Sequence, residues 1–276
     1  KFKELLEKSG AEILLNTRAE ELIIKDGAVQ GVVAEKDGKK YNIFAQKTVL
    51  ATGGFAKSKE LMAKYNKEFA DNVAFCGTGN TGDGITMALA AGAQLTGDSV
   101  LGIWGMNDYY GYVGDIGSLV RQTAVYVNKE GKRFVNEGGR RDVISQAILA
   151  QTDKCAYLVW GSEIESVGKM TQIHAKEFEQ LKATNLLVQA DTLEDAAKAA
   201  GIDAAALSAE IAEFNSFVDG KKDPKFQKTG AFRKIAEGPF YIETVTPSTH
   251  HTMGGVNVDN DAHALRADGT IIKGLY

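Results

Sequence analysis

The sequence is poor in cysteine, because its 276 residues contain only Cys76 and Cys155. Two cysteines that lie far apart in the chain exclude a disulfide framework and a Cys-x-x-Cys metal site. We expect both to be small apolar residues of the interior, and we predict no metal site. A Cys-x-x-Cys-His sequence for covalent haem attachment is absent as well.

Long apolar runs and blocks of like charge are also absent. The run from Cys155 to Trp160 is far shorter than the roughly 18 residues of a membrane helix. The formal net charge is −4 with no basic block, which gives no electrostatic footprint for nucleic acid or an anionic membrane. We therefore expect a soluble protein with no nucleic-acid partner and no membrane span. Its apolar content of 44% is enough for a sizeable core.

The chain also lacks a start methionine, a signal peptide, an internal repeat and a low-complexity linker. It begins at Lys1 directly in a helical pattern, so we expect a piece of a longer protein. The cellular compartment is therefore left open.

Glycine and aspartate turns divide the first part of the chain into strands. Asp26-Gly27 and Asp37-Gly38 are dipeptides that favour tight hairpin turns, so they predict a meander of antiparallel strands. We predict a short buried strand at residues 11–15. The apolar run at residues 48–52 leads straight into Gly53-Gly54, as a buried parallel strand does where its carboxyl end meets a ligand crevice.

A glycine-dense loop at residues 77–84 precedes a predicted helix at residues 85–91. A helix N-terminus presents unpaired N–H groups and the positive end of its dipole, so this loop is suited to an anion or a phosphate. Close packing of a helix of small residues explains the same glycines. The loop alone does not decide between these interpretations.

The middle of the chain indicates a second domain. Aromatic residues and glycine interleave around Trp104 and Tyr109, which is typical either of a turn-rich core or of a substrate-facing wall. Residues 164–236 are predicted to be mostly helical, with a capping box formed by Asp191 and Glu194.

Residues 240–272 are again predicted to form strands and turns. We therefore predict a sheet domain at residues 1–103 and 245–276 that is interrupted by a second domain at residues 104–244.

Two pairs of basic side chains are candidates for chemistry. His250-His251 stand just before a glycine pair, and Arg140-Arg141 stand at the start of a predicted helix. Taken alone, the histidines are typical of satisfied structural residues, and the arginines of ion pairing at a surface helix. Their sequence context favours a functional interpretation.

That context is a set of motifs in a fixed order: VLATGGF (49–55), GNTGDGITMALAAGA (79–93), VNKEGKRFVNEGGRRD (127–142), HHTMGGV (250–256) and the terminal IIKGLY. In order and spacing they resemble the flavoprotein subunit of the fumarate reductase and succinate dehydrogenase family. The closest likeness is to the soluble fumarate reductases of the flavocytochrome c type. The resemblance covers essentially the whole chain.

The resemblance implies an α/β fold of mixed α+β character. An FAD-binding domain of the dinucleotide type, incomplete here, would be interrupted by an α+β capping domain. The implied reaction passes hydride from N5 of a reduced flavin to one carbon of an activated C=C bond, while an acidic group protonates the other carbon. The expected enzyme is an FAD-dependent oxidoreductase that acts on an α,β-unsaturated carboxylate in electron transport. Its electron donor, a domain or a separate protein, is expected outside these residues.

The resemblance also implies roles for particular residues. Arg141 matches the proton donor, and Arg121 matches an arginine of the proton relay. His250 and Thr252 match the substrate site, and His251 is assigned to the flavin. The remaining positions that match flavin-lining residues are Thr52, Gly53, Gly54, Thr81, Gly82, Asp83 and Gly84. Fixed cations suit such a site, because charge builds up on the substrate carboxylate in the transition state.

Three departures from the family pattern limit what we expect. The Gly-x-Gly-x-x-Gly phosphate loop that the family carries at its amino terminus is missing, because we expect the chain to start after that point, and the sequence stops at KGLY. We therefore expect this piece alone to be inactive. Gly117 and Ser118 stand where fumarate reductases carry a Thr-Glu pair, which leaves Asp115 as the candidate for the relay carboxylate. The aromatic residues nearby suggest a substrate such as urocanate or an aryl acrylate.

Two other functions stay open. A flavin-dependent oxidase or dehydrogenase of an amino acid or a ketosteroid would use the same fold, with less need of an acid at Arg141. A non-catalytic module that binds a small acid or a protein would use no bound flavin at all.

Overall fold

The computed structural model describes residues 2–65, 67, 70–71, 73–74, 76–96, 106–108, 123–249 and 252–276. The chain divides into two compact units, which are described separately. The first unit comprises Lys1–Ala70, Cys76–Gly102 and His251–Tyr276, and the second comprises Asp71–Phe75 and Ile103–His250. The functional domains at residues 1–103, 104–244 and 245–276 remain a prediction.

An antiparallel meander forms the sheet of the first unit. Its strands are β1 (Arg18–Lys25), β2 (Ala28–Lys36) and β3 (Lys39–Phe44). The turn residues Asp26 and Gly27 have φ of 52° and 75°, and Asp37 and Gly38 have φ of 52° and 73°. Two successive positive φ values are the geometry of the type I′ turn, which suits the twist of a hairpin. The meander predicted from the two Asp-Gly pairs is confirmed.

Three helices are described in the first unit: α1 (Phe2–Lys8), α2 (Lys59–Tyr65) and α3 (Asp83–Ala90). Ala88 of α3 packs with Val29, Ile272 and Leu275 in a small core. Residues 48–50 run parallel to residues 274–276, because the Thr48 N–H donates to the Gly274 carbonyl at 2.8 Å and the Tyr276 N–H donates to the Thr48 carbonyl at 2.9 Å.

This parallel pairing leads the chain into Gly53, but the run is not buried as predicted. Val49 is 70% exposed. The buried strand predicted at residues 11–15 is also wrong, since Leu15 is 63% exposed. A short apolar run forms a strand only beside a partner that accepts its hydrogen bonds, and no strand of the described chain pairs with residues 11–15.

The sheet of the second unit is built around one long strand, β9 (Phe240–Thr249). The other strands are β4 (Val73–Ala74), β5 (Met106–Asp108), β6 (Val125–Val127), β7 (Ala156–Trp160) and β8 (Leu187–Ala190). β9 pairs with β5, β7 and β8 in the antiparallel sense and with β4 in the parallel sense, and β6 pairs with β7. Every residue of β7 is buried, as an unbroken apolar strand predicts.

The helices described in the second unit are α4 (Arg141–Leu149), α5 (Ser162–Gly168), α6 (Met170–Ile173), α7 (Ala175–Ala183), α8 (Leu193–Ala199) and α9 (Ala204–Val218). They cover a core in which Ile148, Trp160 and Phe214 are fully buried. No helix among the described residues has both the length and the apolar character that crossing a bilayer requires.

The predicted start of α8 is one residue too early. The N-cap is Thr192, whose hydroxyl accepts a hydrogen bond from the Asp195 N–H at 3.1 Å. The predicted capping box used Asp191 and Glu194 instead. Both pairs have the same spacing, and the backbone decides between them, since Thr192 has the extended φ and ψ of a capping residue.

Candidate functional site

A pair of glycines, Gly53 and Gly54, forms the turn at the centre of the candidate site. Gly53 has a φ of 74°, which favours glycine over any residue with a side chain. The Gly54 N–H donates to Oδ1 of Asn80 at 3.0 Å, and the Gly54 carbonyl accepts from the Gly82 N–H at 3.1 Å. These two hydrogen bonds therefore connect the Gly53-Gly54 turn to the glycine-dense loop at residues 77–84.

Asn80 makes this connection with both ends of its side chain. Its amide nitrogen donates to the Gly77 carbonyl at 3.0 Å, while its backbone carbonyl accepts from the Lys57 N–H at 2.9 Å. The sequence interpretation missed Asn80, although it lies inside the GNTGDG motif. Its sequence neighbours give no signal that its side chain reaches Gly54.

Thr252 covers the same turn from the other side. Its hydroxyl oxygen accepts a hydrogen bond from the Phe55 N–H at 3.4 Å. A Cβ placed on Gly54 would lie well inside contact distance of that oxygen, so only glycine fits beneath Thr252. This threonine, predicted to bind substrate, lies against the glycines that were assigned to the flavin.

The start of α3 faces the same space. A Cβ on Gly84 would collide with the Thr52 hydroxyl, so the helix backbone lies against the turn. The N–H groups of the first helical turn have no partner inside a helix and carry a partial positive charge. Gly84 and Ile85, both in that turn, line the cleft.

These elements enclose a cleft of about 390 Å³. Backbone forms much of its wall, and the rest is mainly apolar. The lining residues are Leu50, Thr52, Gly53, Gly54, Gly84, Ile85, Thr252, Gly254, Gly255, Val256, Val258 and Tyr276.

A backbone hydrogen bond holds Gly255, another residue of the cleft wall, in place. The Thr96 N–H donates to the Gly255 carbonyl at 2.9 Å, which ties the glycine pair after Thr252 to the chain that follows α3. The ring of Tyr276 contacts two side chains. Its centroid lies 4.9 Å from the centroid of the His263 ring and 5.3 Å from Nζ of Lys47.

Asp83 has a different role from the glycines beside it. One carboxylate oxygen accepts from the Thr81 hydroxyl at 2.9 Å, and the other accepts from Nε of Arg18 at 3.0 Å. Partial burial acts to raise the pKa of the Asp83 carboxyl, but the Arg18 and Thr81 bonds outweigh burial and hold the pKa below its ordinary value. Asp83 is not the cap of α3, because Gly82 holds that position with a φ of 80°.

The cleft fits part of an FAD molecule. A flat ring or a phosphate needs backbone that can be approached closely, which the glycines at 53, 54 and 84 supply. A phosphate or another anionic group is favoured near the N-terminus of α3, where N–H groups have no partner inside the helix. Leu50, Ile85 and Val256 offer apolar surface to an aromatic ring.

The structure brings together some of the predicted residues and does not test others. Thr52, Gly53, Gly54, Gly84 and Thr252 line one cleft. Thr81, Gly82 and Asp83 form the approach to α3. Arg121, His250, His251, Asp115, Gly117, Ser118 and the aromatic residues Trp104, Tyr109 and Tyr110 lie outside the described residues.

Arg141 is described by its backbone only. It is the first residue of α4, and the carbonyl of Arg140 before it accepts a hydrogen bond from the Ile144 N–H at 3.0 Å. The side chain of Arg141 lies outside the described part of the chain. Its role as proton donor stays a prediction.

Known proteins resemble this chain over its whole length. The family described as FAD binding domain matches residues 2–276. The chain is 34% identical to the NADH:acrylate oxidoreductase of Vibrio harveyi over 100% of the chain and 28% of that protein. It is 34% identical to the urocanate reductase of Eggerthella lenta over 96% of the chain and 45% of that protein.

A solved structure is similar as well. The open conformation of a flavocytochrome c3 fumarate reductase superposes with a TM-score of 0.80 at 30% identity, over 99% of this chain and 48% of that one. The chain therefore spans less than half the length of each of these three proteins.

Proposed function

This chain belongs to the FAD-binding domain family, and from that premise we propose that it is the flavin-holding and proton-donating part of a reductase of α,β-unsaturated carboxylates. The family match covers residues 2–276. The cofactor is FAD.

The observation that carries the proposal is the glycine cradle of the first unit. One cleft is lined by Gly53-Gly54, the start of α3 and Thr252. Its glycines carry no side chain, so a ligand can approach the backbone closely. A cleft of this kind admits a ring and phosphates against the main chain, and it would be oversized for a small acid alone.

The names of the relatives support the substrate class. They are called reductases or oxidoreductases of acrylate, urocanate and fumarate. These three compounds share a carboxylate conjugated with a C=C bond. We propose that the substrate of this protein has the same group.

The proposed chemistry divides between cofactor and side chains. When bound and reduced, FAD supplies a hydride, with its two electrons, to the alkene carbon farther from the carboxylate. The π electrons of the alkene then form a bond to a proton that Arg141 gives to the nearer carbon. The saturated acid leaves, and Arg141 regains a proton from water through Arg121.

His250 and Thr252 would hold the substrate carboxylate. Negative charge accumulates on its oxygens as the hydride arrives, and a fixed donor stabilises that charge more in the transition state than in the ground state. The two electrons that leave with each product return from a donor outside this chain.

The test uses the natural full-length protein and a reduced viologen dye as electron donor. Acrylate, fumarate and urocanate are each supplied as the oxidant, and dye oxidation is followed. We expect turnover with at least one of them and a yellow, flavin-bearing preparation. Arg141→Ala is expected to lower kcat about 10²- to 10⁴-fold, the usual contribution of a general acid.

Arg233→Ala is the matched control, since Arg233 is an exposed arginine of the same unit. Its kcat should equal that of the wild type. A colourless wild-type protein that binds a small acid without reducing it would support the non-catalytic module. Full turnover by Arg141→Ala would reject Arg141 as the proton donor, whereas a flavin-bearing wild type that reduces none of the three acids would end the reductase proposal and support an oxidase or dehydrogenase.

A further inference from the structure

The second unit contains a fully buried group of four charged side chains. Arg133, Glu137, Asp223 and Lys228 each have side-chain exposures of 0% or 1%. Their formal charges cancel. We call this group the buried charge cluster.

Arg133 is at the centre of the buried charge cluster. Its Nε donates to Oε1 of Glu137 at 2.7 Å, and its Nη2 donates to Oε2 of Glu137 and to Oδ2 of Asp223, both at 2.8 Å. The rings of Phe214 and Phe226 lie 5.0 and 5.1 Å from the guanidinium carbon. A guanidinium held by two carboxylates and two rings has one available orientation.

Lys228 completes the cluster from a distant segment. Its Nζ lies 3.4 Å from Oε2 of Glu137 and donates to the carbonyl of Ala124, beside β6, at 3.2 Å. Burial lowers the pKa of the Lys228 ammonium, and the Glu137 carboxylate opposes that shift. The cluster thus joins β6, the segment at residues 133–137 and the strap formed by residues 223–229.

Asp223 fixes the shape of that strap. Its Oδ1 accepts from the N–H groups of Lys225 and Phe226 at 3.0 and 3.2 Å, and its Oδ2 accepts from the Lys228 N–H at 3.3 Å. The same carboxylate therefore binds Arg133 and sets the backbone of the strap.

The strap contacts the turn that leads into α4. The Thr229 hydroxyl donates to the Gly138 carbonyl at 3.2 Å, and Asn136 Nδ2 donates to the Gln227 carbonyl at 2.9 Å. A Cβ on Gly138 would overlap the Thr229 carbonyl. Only glycine allows this close approach, so the turn is clamped immediately before Arg140 and Arg141.

Burying charged side chains costs desolvation free energy, so charges are not needed to hold such a turn if stability is the sole requirement. Buried ion pairs are often matched or exceeded in stability by apolar side chains of the same volume. What charged groups add is direction, because each hydrogen bond fixes an angle as well as a distance. The cluster therefore gives a defined geometry to the backbone turn that immediately precedes Arg141.

We propose that the buried charge cluster, acting through the strap at residues 223–229, positions the start of α4 so that Arg141 meets the substrate carbon. Arg133, Lys228 and Thr229 are positioning residues that touch neither substrate nor cofactor. This inference rests on the proposed function, since it assigns the geometry that the proton donor of that reaction requires.

The experiment compares two variants with two matched controls in the natural full-length flavoprotein. Lys228→Met removes the buried ammonium and keeps the length of the side chain. Thr229→Val removes the bond to the Gly138 carbonyl without a change of charge. The controls are Lys198→Met, which breaks an exposed pair with Glu194, and Thr184→Val, which removes an exposed bond to the Gln180 carbonyl.

Two reactions of the reduced flavin are followed by rapid mixing. One is oxidation by the unsaturated acid that the wild type turns over, which needs a proton on carbon. The other is oxidation by ferricyanide, which does not. We expect Lys228→Met to slow the first reaction about 10- to 100-fold, as a misplaced catalytic group does, and Thr229→Val to slow it about 5-fold.

Ferricyanide oxidation and KM for the acid should stay within twofold of the wild type, and both controls should behave as the wild type. The solvent deuterium isotope effect on oxidation by the acid should increase in Lys228→Met and in Thr229→Val, because proton delivery becomes slower. A merely structural role would leave that isotope effect unchanged.

The result that overturns the inference is a loss of both oxidations together, an unchanged isotope effect, or wild-type rates in the two variants. If Lys228→Met does not fold, Thr229→Val decides alone, since it alters one exposed hydroxyl. A wild type that reduces no unsaturated acid rejects the proposed function, whereas an active wild type with unaffected variants rejects only the role of the cluster.

Discussion

Asn80 and Gly54 are joined by a hydrogen bond of 3.0 Å from the glycine N–H to the asparagine Oδ1. The bond connects the turn after residues 48–52 with the loop before α3. Because Asn80 also binds the Gly77 carbonyl, its side chain and the backbone bond from the Gly82 N–H to the Gly54 carbonyl together hold the two glycine segments in contact.

Asn80→Ala is expected to weaken FAD binding. It removes two hydrogen bonds that together are worth about 2 kcal/mol, so Kd for FAD should increase roughly 10- to 50-fold. The measurement is flavin fluorescence during titration of the apoprotein. Asn42→Ala, an exposed asparagine of β3 in the same unit, should leave Kd unchanged.

An unchanged Kd in Asn80→Ala would contradict the role of this side chain in shaping the cleft. A fall in melting temperature of the apoprotein without a change in Kd would show that the bond serves the fold alone.

Gly54→Ala is expected to lower FAD affinity about 5- to 150-fold, because its Cβ would overlap the Thr252 hydroxyl and overpacking costs about 1–3 kcal/mol. The clash involves one atom, and the next Thr252 atom, Cβ, lies at 3.4 Å. Thr252→Ala should therefore restore much of the affinity when combined with Gly54→Ala.

The same kind of double substitution at a second position, Gly84→Ala combined with Thr52→Ala, serves as the comparison. The new Cβ at residue 84 would still lie 3.1 Å from Cβ of Thr52 after the hydroxyl is removed. Rescue should be smaller than at Gly54. Equal rescue at the two positions, or none at Gly54, would show that the cleft relaxes in a way that these contacts do not predict.

Local patterns predicted the parts of the fold that depend on neighbours in sequence. Asp26-Gly27 and Asp37-Gly38 determine their own turns, because aspartate and glycine adopt positive φ more easily than other residues. Residues 11–15 could not be predicted in this way, since a strand depends on a partner that the run itself does not encode.

The candidate site shows the same division. The motifs predicted that the glycines at 53, 54 and 84 share a site, and they line one cleft, because close approach is a property of the backbone at those positions. Their contact with the flavin stays a prediction. Asn80, Arg18 and Asp223 were missed, because each acts on a segment distant in sequence. A charged or amide side chain carries no local signal of the carboxylate or N–H that it will meet.

The choice between Thr192 and Asp191 as the cap of α8 can be tested directly. Thr192→Ala is expected to destabilise the protein by about 1 kcal/mol, since the Asp195 N–H loses its acceptor. Asp191→Ala should change the free energy of unfolding by less than about 0.5 kcal/mol. Urea denaturation measures both, and a larger effect at Asp191 would support the capping box that the sequence suggested.

The carboxyl of Asp223 makes the second unit sensitive to acid. Burial acts to raise its pKa, but the bonds from Arg133 and from the Phe226 and Lys225 N–H groups outweigh burial and hold the pKa below its ordinary value. A lowered pKa in the folded state stabilises the protein at pH values above the unfolded pKa of about 3.9. That stabilisation is lost as the pH falls through the folded pKa.

Asp223→Asn should therefore be most harmful at neutral pH. There it leaves Arg133 with one carboxylate fewer in the interior, and breaking a buried pair costs about 3–5 kcal/mol. Below about pH 4 the Asp223 carboxyl of the unfolded wild-type chain becomes protonated, so the difference between the two proteins should shrink as the pH falls towards the lowered folded pKa. Unfolding followed by tryptophan fluorescence, to which the buried Trp160 of the same unit contributes, measures that difference at each pH.

Asp219→Asn is the control, because Asp219 pairs with Lys234 at the surface and is 78% exposed. Such a pair is worth at most about 1 kcal/mol and is screened by salt. A difference for Asp223→Asn that stays constant from pH 7 to pH 3 would mean that the ionised carboxylate contributes nothing, and that shape alone holds the strap. A difference that shrinks on acidification, while the control stays flat, would assign the stabilisation to the charge on Asp223 and its bond with Arg133.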